Sequence, residues 1–174
     1  MVRMAMVPSG QPVVSRSWRQ LCDRGSDLVL CLDFATTPAS TAFAALASSS
    51  LVEARILHIG QSGPGPQDTW VREVVDTGDP VSAVLGHGEA CALATAVADA
   101  IAVAGGSPPT VVLFDAAAVT PMRTGTPLYL SSRDHRLDHE RNISLDVDSR
   151  ELLTDPEVVK VVADLLKGAR SWST

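Results

Sequence analysis

Apolar runs of strand length alternate with helical stripes along most of this chain. Residues 27–33 (DLVLCLD) form a continuous apolar run bounded by acids, the pattern of a strand buried on both faces. Residues 53–59 (EARILHI), 81–85 (VSAVL), 110–114 (TVVLF) and 126–131 (TPLYLS) predict further strands. Residues 142–147 (NISLDV) alternate apolar with polar, which suits a sixth strand at the sheet edge. Helical spacing appears between them. Residues 38–50 place Pro38 in a first turn and Phe43, Leu46 and Ala47 on one stripe. Residues 68–75 put Asp68 at the cap and Val71, Val74 and Val75 inward. Residues 89–103 are apolar nearly all round, as in a helix buried against a sheet. Residues 155–167 turn Val158, Val159, Val162, Leu165 and Leu166 inward, with Asp155 and Glu157 at the end the helix dipole favours.

Breaks fall where turn chemistry predicts them: Gly25, the Gly/Pro/Ser segment 60–66, Gly78-Asp79-Pro80 and Gly105-Gly106. Residues 15–24 read as a short helix with Trp18 and Leu21 on one side, and residues 1–11 lack a period and read as frayed. Strand and helix alternate through the first four strands. That order predicts an α/β fold: one mostly parallel sheet of about six strands with helices on both faces. The division expected is an N-terminal extension over 1–24, partly flexible, a domain over 25–168 and a tail over 169–174.

Composition narrows the function classes. The chain has 174 residues, enough for one domain with a real core, and its core residues are Ala, Val and Leu. A net charge of −6 argues against a nucleic-acid or anionic-membrane surface. No apolar run reaches membrane length, and residues 1–11 carry no signal-peptide h-region. Cys22, Cys31 and Cys91 are an odd set without metal spacing. A reducing cytoplasm is the simplest setting.

Sites in such sheets lie at the carboxyl ends of the strands. The residues to weigh there are Asp33, Phe34, the Gly86–Glu89 stretch, Asp115, Asp134 and Asp148. Asp134, His135, Asp138 and His139 form a charged cluster before the sixth strand; a solvated loop and a metal site are its two readings, the first favoured. Cys91 sits one helical turn beyond Gly88 with no His placed to activate it, which marks a core residue. Asp33, Glu89, Asp115 and Asp148 together would make an acidic cleft.

The stretch around Gly86-His87-Gly88-Glu89-Ala90 is the best-defined of these addresses. An apolar strand runs into it and a helix leaves at once, the outline of a nucleophile elbow, G-x-S-x-G, with glycine where serine belongs. With three other segments it resembles the thioesterase domains of polyketide and nonribosomal-peptide assembly lines, within the α/β-hydrolase fold. Residues 28–47 (LVLCLDFATTPASTAFAALA) resemble the first core strand, the oxyanion loop and the "F-x-x-L-A" helix. Residues 108–115 (PPTVVLFD) resemble the next strand with its terminal acid, and 126–166 the final strands and histidine loop.

The resemblance implies a triad of serine, acid and histidine, of which the chain keeps one member. The serine position is Gly88, the acid position is Asp115, and the histidine position is Ser149, preceded by Asp148. Without nucleophile and imidazole there is no acyl-enzyme and no proton shuttle, and either loss alone costs on the order of 10⁶ in rate in serine hydrolases. Glu89 stands where the oxyanion-binding residue belongs, and only residues 116–125 fill the place of a lid. His87, beside the nucleophile position, reads as a packing residue. The fold implied is a truncated, lidless α/β-hydrolase.

The function implied is a degenerate thioesterase-like protein, binding an acyl carrier protein or another biosynthetic enzyme, with no cofactor. Two alternatives stand beside it. One is a repurposed non-covalent enzyme that cyclises or dehydrates a polyketide-like small molecule with Asp115 and either His87 or an acidic neighbour. The other is a structural module that self-associates through apolar surface the missing lid would expose.

Overall fold

The computed structural model describes residues 18–34, 41–59, 67–105 and 107–172. Seven strands form one sheet: β1 (Arg19–Asp23), β2 (Leu28–Leu32), β3 (Arg55–Ile59), β4 (Val81–His87), β5 (Thr110–Phe114), β6 (Leu128–Ser131) and β7 (Asn142–Ser144). Their spatial order is β1-β3-β2-β4-β5-β6-β7. Every neighbouring pair is parallel except β1 with β3. The helices are α1 (Ala44–Ser48), α2 (Gln67–Val75), α3 (Cys91–Val103) and α4 (Pro156–Trp172).

The continuous apolar runs explain the layering. Successive side chains of a strand point to opposite faces, so a strand covered on both sides is apolar at every position. In β2, Leu28, Leu30 and Leu32 join one buried cluster with Val84, Leu113, Ala94 and Val97 under α2 and α3. Val29 and Cys31 join the other, with Leu85, Phe114, Leu46, Val158 and Val162 under α1 and α4. The Phe43 and Phe114 rings meet edge to face there, 6.0 Å apart.

All six expected strands form, with β7 at an edge. Several boundaries move. The first described helix is the short α1 within the expected 38–50, and α4 continues to Trp172. Asp68 stands inside α2, and Val75 is 39% exposed, so Val71 and Val74 carry that helix's packing. The expected ends of the frayed segment and of the 60–66 loop lie outside the described residues.

The helix expected over residues 15–24 is not formed in its described part. Arg19–Asp23 is a strand, pairing antiparallel with β3 and interrupted by a bulge between Gln20 and Cys22. Trp18 and Leu21 pack into different apolar clusters, on opposite faces of the sheet, so their spacing of three belongs to a strand and not to one side of a helix. Trp18 itself is buried and donates from Nε1 to the carbonyl of Trp70 at 3.0 Å. Residues before Gly25 therefore supply a strand to the sheet.

One topological feature positions the site. From β2 the chain passes to β3 on one side, then crosses β2 to β4 on the other. Such a switch opens a crevice at the carboxyl ends of the two central strands. Asp33 follows β2, and His87 closes β4.

Candidate functional site

His87 is extended, with φ −128° and ψ 132°, and Gly88 then turns to φ 60° before the 3-10 turn Gly88–Ala90 and α3. This abrupt strand-to-helix reversal has the backbone shape of a nucleophile elbow. The two glycines serve different needs. A Cβ on Gly86 would lie 2.6 Å from the Cβ of Ala94 and 3.2 Å from Cα of Cys91, so glycine lets α3 rest on β4. A Cβ on Gly88 would meet nothing within 4 Å. Gly88 is needed only for its left-handed backbone.

Asp115 lies one residue past β5, beside this turn, because His87 pairs in register with Phe114. It is buried and itself adopts φ 49°. Three hydrogen bonds hold that unusual backbone. The Asp115 N–H donates to the Leu130 carbonyl at 2.9 Å. The carboxylate accepts from Ser132 N at 2.7 Å and from Ser132 Oγ at 2.9 Å.

His135 completes the group. It ends the 3-10 turn Arg133–His135, directly after β6, and its N–H donates to the Ser132 carbonyl at 3.3 Å. Its Nδ1 lies 3.6 Å from Oδ2 of Asp115, and its side chain is 48% exposed. His87 is near enough to feel Asp115, Asp33 and His135 electrostatically. Burial is the largest influence on it and holds its pKa below the usual imidazole value; the two carboxylates pull the other way.

Asp33 is buried at the end of β2 and is fully engaged. It accepts from Thr41 Oγ1 at 2.5 Å and from Ala42 N at 3.0 Å, and its Oδ1 lies 2.6 Å from Nε2 of the buried His58. On the other side of that ring, Nδ1 lies 3.2 Å from the Arg19 guanidinium.

The remaining candidates are placed differently. Phe34 is 42% exposed. Glu89 is exposed on the 3-10 turn. Asp148 is exposed and accepts from Arg150 N at 2.9 Å, closing its own turn. Ser149 donates its N–H to Asp134 at 3.1 Å, which ties the expected histidine loop to the turn that carries His135. Asp33 and Asp115 thus both lie near His87, while Glu89 and Asp148 keep to the solvent.

The charged cluster divides. His135 turns to Asp115, Asp134 holds Ser149, and His139 accepts from Arg141 N at 3.1 Å with its ring packed on Tyr129. Among the described residues no three His, Cys, Asp or Glu side chains gather to hold a metal ion. Cys91 is buried, with Sγ 3.6 Å from the Phe114 carbonyl, and burial pushes its thiol up to about 12, which leaves it inert as a nucleophile.

Residues 116–127 form an irregular strap without a helix. Asp99 on α3 accepts from Arg123 N, Thr124 N and Thr124 Oγ1 at 3.0, 3.0 and 2.6 Å, and Tyr129 Oη accepts from Thr120 N at 2.8 Å. The segment between β5 and β6 is therefore a pinned loop.

His135 was weighed from the sequence only within the charged cluster before the sixth strand, and Ser132 and His58 were not singled out. A signal for the first two existed. Ser131-Ser132-Arg133-Asp134-His135 follows an apolar strand directly, the same address that marked Asp33, His87 and Asp115.

No family model matches the chain, and no curated protein matches its sequence. Solved structures do match. A type II thioesterase from the yersiniabactin NRPS/PKS biosynthetic pathway, YbtT, aligns with TM-score 0.64 at 10% identity, over 87% of this chain and 97% of that one. The Vlm2 thioesterase domain aligns with TM-score 0.60 at 14% identity, over 87% and 96%. A mutant of the esterase E40 aligns with TM-score 0.55 at 12% identity, over 92% and 86%. The chain has a thioesterase-like α/β-hydrolase fold. No described helix is long and apolar enough to cross a membrane.

Proposed function

We propose that the chain is a thioesterase-like protein that no longer hydrolyses through an acyl-enzyme. It acts as a binding or accessory partner in the assembly of polyketide or peptide natural products. The observation that carries this is Gly88: the elbow keeps its left-handed turn at φ 60°, with no side chain to attack a carbonyl. Covalent catalysis requires that atom, and its loss removes the acyl-enzyme whatever surrounds it. Two features support a binding role. The strap over residues 116–127 replaces a helical lid, and one of the similar structures is a thioesterase of an NRPS/PKS biosynthetic pathway, another a thioesterase domain.

The partner class is an acyl carrier protein or another biosynthetic enzyme, with a polyketide-like small molecule as ligand. Incubation with acyl-N-acetylcysteamine thioesters should release no free thiol above background. Titration with a purified acyl-loaded carrier protein should give saturable binding. Thiol release that disappears in Asp115→Asn would sink the reading.

A further inference from the structure

His58 is fully buried and lies between a cation and an anion. It pairs in register with Arg19 of β1 and with Cys31 of β2. Its Nδ1 lies 3.2 Å from the Arg19 guanidinium, and its Nε2 lies 2.6 Å from Oδ1 of Asp33. Arginine offers only donors, so Nδ1 accepts and keeps its lone pair. The carboxylate offers only acceptors, so Nε2 carries the proton. The ring is therefore neutral, in its Nε2–H form, and it links β1 to the end of β2. Among the described residues no carboxylate stands within ion-pair distance of Arg19, so the imidazole is what holds its guanidinium.

A second proton has one place to go. On Nδ1 it would turn an acceptor into a donor facing a guanidinium, and set two positive charges against each other. The Nε2 side would gain, because an imidazolium binds a carboxylate more strongly than a neutral ring does. Around the ring stand two thiols, Cys31 of β2 and Cys22 of β1, each in electrostatic range of the other. His87 of β4 lies in electrostatic range of Asp33, and α1 carries no charged residue. None of these gives Arg19 another anion to hold.

We propose that a proton and Arg19 compete for Nδ1 of His58, so that this ring is an acid-released latch on the edge strand β1. At neutral pH the guanidinium is docked, and β1 is tied through the ring to Asp33. When Nδ1 takes a proton from water, the imidazolium stays with Asp33 and the guanidinium leaves. β1 is the element that yields, because it ends the sheet, with β3 as its neighbour, and the bulge between Gln20 and Cys22 already interrupts its ladder.

Ring ¹⁵N spectra and amide hydrogen exchange of the full chain test this. At pH 7.5 His58 should carry its proton on Nε2. At pH 5.5 it should be imidazolium, and the amides of residues 19–23 should exchange on the order of 10-fold faster than the intrinsic pH effect allows, the scale of one lost hydrogen bond to a charged group. Glutamine keeps a donor and an acceptor but takes no proton, so in His58→Gln the β1 amides should show no such response. In Arg19→Met a larger share of the ring should be imidazolium at pH 6 than in the wild type. A proton on Nδ1 at pH 7.5, a ring still neutral at pH 5.5, or an acid response of β1 that persists in His58→Gln overturns the proposal. Should His58→Gln not fold, Arg19→Met decides, and an imidazolium share unchanged by the loss of the guanidinium overturns it as well.

Discussion

Ser132 donates twice to Asp115, from its backbone at 2.7 Å and from its hydroxyl at 2.9 Å. Both residues are buried, so the bonds are made where water cannot replace them. Asp115→Ala should cost about 2–3 kcal/mol, because it leaves a buried N–H and hydroxyl without an acceptor. Ser132→Ala removes only the hydroxyl and should cost about 1 kcal/mol. Urea unfolding of the two variants checks the order.

The two elbow glycines should respond oppositely in size. Gly86→Ala drives a methyl to 2.6 Å from Ala94 and must push α3 off the sheet. The cost should reach the upper end of the about 1–3 kcal/mol range for overpacking. Gly88→Ala meets no atom and bears only the left-handed backbone, about 1 kcal/mol. Denaturation midpoints that reversed this order would contradict the close approach of α3 to β4.

His87 makes the fold sensitive to mild acid. Its folded pKa lies below the usual 6.5, mainly through burial. As pH falls below that value, the unfolded chain binds a proton that the folded chain refuses, so stability is present above it and lost on acidification. Melting temperatures between pH 7.5 and 5 should fall in the wild type and fall less steeply in His87→Gln.

Cys91 acts at the alkaline end. Burial raises its thiol from 9.0 to about 12. Between those values the unfolded chain ionises and the folded chain does not, so stability present below the lower one is lost as pH rises toward the upper. Cys91→Ala should flatten part of that loss. In the native protein iodoacetamide should modify the half-buried Cys22 first, with Cys31 and Cys91 reacting only after unfolding.

The sheet was largely legible because its strands are covered on both faces. A run such as Leu28–Leu32, with every residue buried, has no other comfortable place in a soluble fold. The elbow was legible too, since Gly86 and Gly88 answer local demands, a close helix and a left-handed turn. Residues 19–23 were not. Their bulge spoils the alternation, and only pairing with Arg55–Ile59 selects strand over helix.

The sequence alone was enough for the strands, their mainly parallel order, the sharp turn from β4 into α3 and the glycine at position 88. Each depends on hydrophobic period or on one residue's identity. The tertiary structure alone decided which histidine meets Asp115. Asp115 and His135 are brought together by the parallel pairing of β5 with β6, and Ser132 then holds both. No spacing along the chain encodes that pairing, because strand register and the turn after β6 set it in space.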